Sequence, residues 1–344
     1  MSKKVSVLPP VNINDEDASL FLPYLSFELS PLKVKRLTNA FVTHTGFCVT
    51  ENGLLKESHH DYPPQFDYFL KLATVSYEEA YENPDNLVVL DDDNTYLSIH
   101  HPWFMYYHWI CESVFRIWRV KDKIDQMVLL LPESYKKSEF VMSSLEPFRF
   151  KDIFFIPEHK SILVRKLCMP QIKPLMEVYD YGMMKEVRAF YLNYVLNEKN
   201  ININCGERIY LSRKKADRRK VDNEDEVVSI LLRYNFTILY NEEYSFFEQV
   251  AIYGHAKYLV SIHGSGLTNM LFMPKNASLF ELHKKRTNLH DWHSLIFWYM
   301  AGTLGHRYYH QICTPTDIDQ DIFQANLIVD TALLEKNLSI MFPS

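Results

Sequence analysis

The chain reads as an α/β protein of two domains, and three observations predict this. Strand-like and helix-like segments alternate along most of its length. At 344 residues it exceeds what one ordinary core accommodates. Its 47% hydrophobic and 23% charged residues are the balance of a folded chain with ample core.

The elements follow in order. Residues 1–60 look irregular or mixed, with an early Pro9-Pro10. NLVVL at 86–90 predicts a buried strand that runs into DDDN at 91–94, and YLSI at 96–99 predicts a second. From Tyr106 to Val120, Ile110, Val114, Phe115 and Trp118 recur at three- and four-residue spacing, which predicts an amphipathic helix with a polar stripe. MVLLLP at 127–132 and KDIFFIP at 151–157 are strands stopped by proline, and the alternation suggests a parallel layer. Residues 183–199 predict a helix, and the polar NININCGE after it places the domain boundary near 200.

Beyond the boundary the pattern is cleaner. ERIYLSR is a strand, and NEDEVVSILLRY is a helix opened by Asn223 with acids in its first turn. FTILY is a strand, followed by the helix SFFEQVAIYGHA with Ser245 as cap and Glu248 at the capping-box position. YLVSI, a short helix GLTNMLFM and the strand ASLFEL complete a Rossmann-like unit. The expected organisation is 1–199, 200–325 and a helical tail at 326–344.

Composition excludes several classes. A net charge of −6 and a pI near 6.2 give no field to attract nucleic acid. The five cysteines (Cys48, Cys111, Cys168, Cys205, Cys313) are widely spaced without a CxxC, which indicates neither a disulfide framework nor a zinc knuckle. The N-terminus lacks the apolar run of a signal peptide, and nothing approaches a membrane span, so the cytoplasm is the expected location.

Three segments carry chemistry. LVSIHGSGLTNMLFMP at 259–274 holds two of only 9 glycines, two positions apart, where a strand turns into a helix. Glycines there permit positive φ and close approach, and the helix start is a seat for phosphate; a tight turn around a satisfied histidine fits the turn equally well. Arg213, Arg218 and Arg219 also lie beyond a strand end, where their planar donors would complete a diphosphate clamp; a solvated loop is the alternative. On the predicted helix, His108, Glu112 and Arg116 are spaced four apart on one face. They read either as an imidazole oriented by a carboxylate, a general base for a hydroxyl, or as an exposed polar ladder.

Together these segments resemble glycosyltransferase family 61. The resemblance rests on Tyr107-His108-Trp109 with Glu112 and Arg116, Ser212-Arg213 with Arg218-Arg219 and Asn223-Glu224, Glu248-Gln249, His263-Gly264-Ser265-Gly266-Leu267-Thr268-Asn269, and Glu281. Ser265 stands where the family usually has alanine. The agreement covers about 100–285. It implies a GT-B architecture, two Rossmann-like domains facing a cleft, with the nucleotide-sugar donor on the C-terminal domain and the acceptor on the N-terminal one. It also implies an inverting displacement without an essential metal or other cofactor, helix dipole and arginines stabilising the leaving diphosphate. Arg213, Arg218, Arg219, His263 and the 264–266 backbone would then hold the diphosphate. Asn269 and Glu281 would position ribose or sugar. His108 would be the base with Glu112 orienting it, or the reverse. Arg116, Asn223, Glu248 and Gln249 would support. The implied partners are a nucleotide-sugar, UDP donors being the family's common choice, and a glycan or lipid-linked glycan acceptor, which suggests bacterial capsule or other surface-polysaccharide synthesis at the inner membrane face.

Rival readings are weaker. Ser265 lacks the glycines two before and two after that a nucleophile elbow requires. DDDN at 91–94 and His283, His290 and His293 suggest a metal but match no standard zinc spacing. A non-catalytic nucleotide- or glycan-binding protein with a degenerate site is the remaining alternative.

Overall fold

The computed structural model describes residues 3–287 and 292–343. The chain forms two compact units, one of Ser30–Glu177 and one of Lys3–Leu29 with Val178 onward.

The first unit is built on a mixed sheet. Its strands lie in the order Gly53–Leu54, Cys48–Thr50, Val34–Val42, Ser161–Pro170, Thr95–Ser98, Met127–Pro132, Asp152–Ile156. The last four are mutually parallel, while Val34–Val42 runs antiparallel to Ser161–Pro170. Leu87–Leu90 pairs the first half of Ser161–Pro170 and Thr95–Ser98 pairs the second, so the acidic turn at 91–94 is a step along one strand edge. Its carboxylates are engaged locally: Asp92 accepts from Tyr96 Oη at 2.8 Å, and Asp93 pairs with Arg165 and Lys166. Met127–Pro132 is buried at every residue and packs in a core with Val42, Tyr96, Ile156, Ile162 and Leu167. Strand Val34–Val42, in a stretch expected to be irregular or mixed, and helix Glu139–Leu145 escape the sequence reading, as do two further elements. Strand Ser161–Pro170 carries exposed Arg165 amid its apolar run, and helix Phe66–Glu82 buries only Phe69, Ala73, Ser76 and Ala80 while exposing Tyr68, Leu70 and Tyr81.

The second unit carries a sheet of five parallel strands closed by one antiparallel strand: Thr237–Leu239, Arg208–Leu211, Tyr258–Ile262, Ser278–Lys284, Arg307–Pro315, Leu327–Ile328. In chain order the parallel strands run 2-1-3-4-5, a doubly wound order whose switch point lies between Arg208–Leu211 and Tyr258–Ile262. Helices Glu224–Arg233, Phe246–His255, Ile296–Leu304 and Thr331–Met341 accompany them. The predicted capping box of Ser245 and Glu248 is formed. Asn223 does not cap its helix; it exchanges hydrogen bonds with the Val329 backbone, at 2.8 and 2.9 Å.

The division differs from the one expected at 199/200. Helix Tyr181–Asn197 packs on the second unit through Tyr191 against Phe246 and through Arg188 Nε, which donates to the Phe272 and Met273 carbonyls. The polar run at 200–207 is therefore a loop inside that unit. Residues 3–29 also belong there, because Val11 and Asn12 hydrogen-bond the backbone of Tyr308 and His310 along the strand Arg307–Pro315. The segment after 326 is no appended tail: Leu327, Leu334, Leu338 and Met341 are part of the unit's core.

Candidate functional site

Two groups of predicted residues are assembled, one in each unit. In the second unit they sit at the switch point of the sheet, the place where doubly wound sheets bind ligands. Ser212 follows the strand Arg208–Leu211 with its hydroxyl on Glu224, 2.7 Å away, and Tyr210 donates to the same carboxylate oxygen. The following loop folds back so that Arg213 Nε donates to the Arg219 carbonyl (3.2 Å) and Nη2 to the Arg218 carbonyl (3.3 Å). Arg218 contributes this carbonyl, and its own side chain is exposed. Arg219 takes the left-handed backbone conformation, φ +56°, and its Nε is buried without a partner among the described residues. Burial and the neighbouring Arg213 and Arg218 lower its guanidinium to about 10, and burial lowers Arg213 as well. Lys214 and Lys215 are paired with Asp225 and Glu243, which leaves Arg213 and Arg219 as the loop's inward-facing, partly buried cations.

The two glycines answer to side-chain packing. Gly264 is extended at φ 172°, and Gly266 is not among the positive-φ residues, so the expected need for positive φ is absent. A Cβ on Gly264 would stand 3.2 Å from Arg213 Nη1, and one on Gly266 only 2.5 Å from Leu211 Cδ2. The arginine loop and the glycine turn thus meet. Gly264→Ala should push Arg213 aside and weaken diphosphate binding roughly tenfold, the scale of one charge-assisted hydrogen bond, with little change in Tm. Calorimetric titration beside thermal melting checks this, and equal binding by the variant contradicts it.

Behind the turn, His263 Nδ1 contacts Glu281 Oε1, and Tyr308 Oη donates to Glu281 Oε2 at 2.8 Å. Burial raises Glu281 to about 7; burial and then Arg219 and Arg213 lower His263 to about 3. Burial thus favours the uncharged form of both groups, and an anion on the arginines would favour the imidazolium. Glu281 and Asn269, expected to touch ribose or sugar, are both fully buried. Glu281 orients His263. Asn269 Nδ2 donates to Gln249 Oε1 (3.0 Å), and Gln249 Nε2 donates to the carbonyls of Asn241 and Tyr244, fixing the loop after Thr237–Leu239. Ser265 begins the 3-10 helix Ser265–Phe272. A cavity of about 490 Å³ adjoins the ends of the next two strands, lined by Asp17, Lys284, Lys285, Arg286, His293 and Asp330 among others. Its His293 ring lies 4.0 Å from that of His283, tilted by 45°, and His283 lies 4.9 Å from His263. His290 falls outside the described residues.

In the first unit, the helix from Tyr106 to Trp118 contains a π-helical turn at Trp109–Ser113, a distortion frequent at functional sites. The expected exposed stripe is instead turned inward. Arg116 is wholly buried and donates to the carbonyls of Pro170 (Nε, 2.6 Å), Ile99 (Nη1, 2.6 Å) and Ser98 (Nη2, 3.3 Å), tying the helix to two strand ends. Arg116→Met strips these carbonyls of their donor and should cost about 3 kcal/mol, read by urea unfolding; unchanged stability would refute that scaffold role.

His108 Nδ1 lies 2.8 Å from Glu112 Oε2, with side chains 14% and 1% exposed. Glu112 is also met by two residues the sequence reading missed: His60 Nε2, 3.1 Å away but off hydrogen-bond alignment, and Lys173 Nζ at 3.3 Å. Burial pushes the Glu112 carboxyl up, yet His60, His108 and Lys173 outweigh it and hold it well below the usual range. An ionised carboxylate only accepts, so the hydrogen of a neutral His108 sits on Nδ1 and Nε2 keeps its lone pair. In this arrangement His108 Nε2 is able to accept a proton while Glu112 holds the ring through Nδ1. Trp103 stacks on His60 at 5.0 Å and lies 5.3 Å from His108. The adjacent pairs His59-His60 and His100-His101 were the available signal; nothing in the sequence pointed to Lys173.

Among the described residues, His60/His108/Glu112 and His263/Glu281/His283 bring three ligand-type atoms within 4.8 Å. In both, ligand-type atoms already have partners within the protein. Bonds of about 2.0–2.1 Å set tetrahedral ligand atoms roughly 3.3 Å apart. In the first group the spacings of 2.8 and 3.1 Å are shorter, and Lys173 already stands beside the carboxylate. In the second, His283 spends Nδ1 on the Lys284 carbonyl and Nε2 on the Ser294 N–H.

A family profile described as Glycosyltransferase 61 matches residues 106–280, just over half of the chain. The chain belongs to glycosyltransferase family 61. The matched span holds His108, Glu112, the arginine loop and the glycine turn of this family 61 chain, and ends one residue before Glu281. Two animal proteins named EGF domain-specific O-linked N-acetylglucosamine transferase are similar to it. The one from Drosophila melanogaster is 39% identical over 77 residues and the one from Gallus gallus 32% over 81. Each match covers 22% of this chain and 15% of the relative, so the chain aligns with a small part of their length. No helix among the described residues is long and apolar enough to cross a membrane.

Proposed function

We propose that this family 61 protein is an inverting glycosyltransferase of the GT-B class, moving a sugar from a nucleotide-sugar, a UDP-sugar first, to a hydroxyl acceptor. The observation that carries the reading is the convergence of Arg213, Arg219 and the His263–Gly264 turn at the switch point, with Arg219 Nε buried and without a partner among the described residues. The second unit holds the donor. Its arginines and the helix start at Ser265 take the diphosphate, and the cavity beside His293 gives room for the nucleoside. The first unit supplies His108.

In the reaction, His108 Nε2 takes the acceptor hydroxyl's proton as the oxygen bonds to the anomeric carbon. The bond from that carbon to the diphosphate oxygen breaks, and the diphosphate leaves with the electron pair toward Arg213 and Arg219. These fixed charges replace a divalent cation, so no metal is essential. The acceptor is a hydroxyl on a glycan, lipid-linked and met at a membrane face in the surface-polysaccharide setting; the named relatives indicate a protein hydroxyl as the other class. Incubation with UDP-, GDP-, CMP- and TDP-sugars, with and without simple glycan acceptors, tests the reading by the nucleotide released. One donor should be consumed in an acceptor-dependent way that survives EDTA. Consumption that EDTA abolishes, or none with any donor, would overturn it.

A further inference from the structure

Lys173 has no part in the roles assigned above, yet its side chain is only 1% exposed. It follows the strand Ser161–Pro170 on a segment whose Gln171 and Ile172 N–H groups donate to the Lys33 and Glu57 carbonyls. Its Nζ faces Glu112 Oε1 at 3.3 Å, donates to the carbonyls of Pro174 (3.4 Å) and Leu175 (3.3 Å), and lies 5.5 Å over the Tyr107 ring. Its own carbonyl meets His60 Nδ1 at 3.1 Å.

A carboxylate this deep tends to take up a proton unless a charge opposes it. The groups facing Glu112 are His60, His108 and Lys173, with His101 behind His60 at 4.6 Å between rings. Burial drives both His60 and His101 toward the neutral form. His108 must itself be neutral to accept a proton. Lys173 brings a cationic side chain to Glu112 at 3.3 Å, beside the two imidazoles that also favour the carboxylate.

We infer that Lys173 is a positioning residue: its ammonium keeps the Glu112 carboxylate an acceptor, which holds the hydrogen of His108 on Nδ1 and leaves Nε2 free to receive a proton. Without it, the buried carboxyl takes one proton from solvent and becomes a donor to Nδ1. The imidazole hydrogen then resides on Nε2, and the base is lost while the histidine remains. The kinetic part of this inference rests on the transferase reading; the tautomer itself does not.

The test is ¹⁵N NMR of the full chain with labelled histidine and no ligand, His108 being assigned by the signals lost in His108→Ala. Wild type should hold Nδ1–H at pH 7. Lys173→Met should switch His108 to Nε2–H there and return to Nδ1–H as rising pH ionises Glu112, and Lys173→Arg should behave as wild type. Should Lys173→Met not fold, Lys173→Gln removes the charge while keeping a donor. Nδ1–H at every pH in the uncharged variant would overturn the inference, whatever the protein's activity. With a donor in hand, the same variant should lose on the order of 100-fold in kcat at pH 7 with donor KM unchanged. That loss should shrink as pH rises; an equal loss at all pH would mark a merely structural role and contradict the proposal.

Discussion

His108→Ala should abolish transfer, with kcat falling about 10²–10⁴-fold, while affinity for the donor stays near that of wild type. That range is what a positioned general base contributes to proton removal in the transition state. The separation of effects follows from where the residues lie. His108 belongs to the first unit, and the arginine loop and glycine turn belong to the second. The side chain of His108 is 14% exposed and bonds to Glu112, so its loss removes a proton acceptor without opening a large cavity, and Tm should move little. Single-turnover kinetics and donor titration of the variant check this together. Loss of donor binding, or retained turnover, would take the role of base from His108.

Arg219→Ala should lower affinity for the donor diphosphate about 10–100-fold, the worth of a buried charge-assisted contact of roughly 1.5–3 kcal/mol. Its effect on stability should run the other way. Arg219 holds a left-handed φ of +56° and a buried Nε without a partner among the described residues. Burial and the flanking Arg213 and Arg218 disfavour its charge. Such local cost persists where function needs it. Arg219→Gly relieves the φ and the crowding together, so its Tm should equal or exceed that of wild type while its binding falls as in Arg219→Ala. A variant that loses both stability and binding would show the loop to be scaffold.

Much of the second unit was legible because local and tertiary demands agree there. Ser245 and Glu248 write a capping box into the sequence, and Tyr258–Ile262 is a short apolar run between polar turns. The strand Arg307–Pro315 was not read, since its Tyr308, His310 and Gln311 are polar groups whose partners, Glu281, Asp17 and the Asp330 carbonyl, come from distant parts of the chain. The boundary near 200 failed for a similar reason. Polarity in NININCGE suggested a linker, whereas the packing of Tyr191 and Arg188 decides the unit. In the site, the spacing of His108 and Glu112 announced their pairing but not their burial. Lys173, which faces the buried Glu112 at 3.3 Å, stands 61 positions after it in the sequence and no local spacing announces it. The two glycines were visible as a signal, but their cause was legible only once Arg213 and Leu211 were seen against them.

The most direct measurement is thermal melting of the purified protein with UDP, GDP, CMP and TDP and their sugars, in the presence and absence of EDTA, on wild type and Arg219→Ala. A ligand of the native state raises Tm by mass action, about 2.7 kcal/mol at a hundredfold excess over Kd. A rise with one nucleotide that survives EDTA and is lost in Arg219→Ala is the predicted result. A rise that persists in Arg219→Ala, one that EDTA removes, or none with any nucleotide would contradict a donor site built on these arginines.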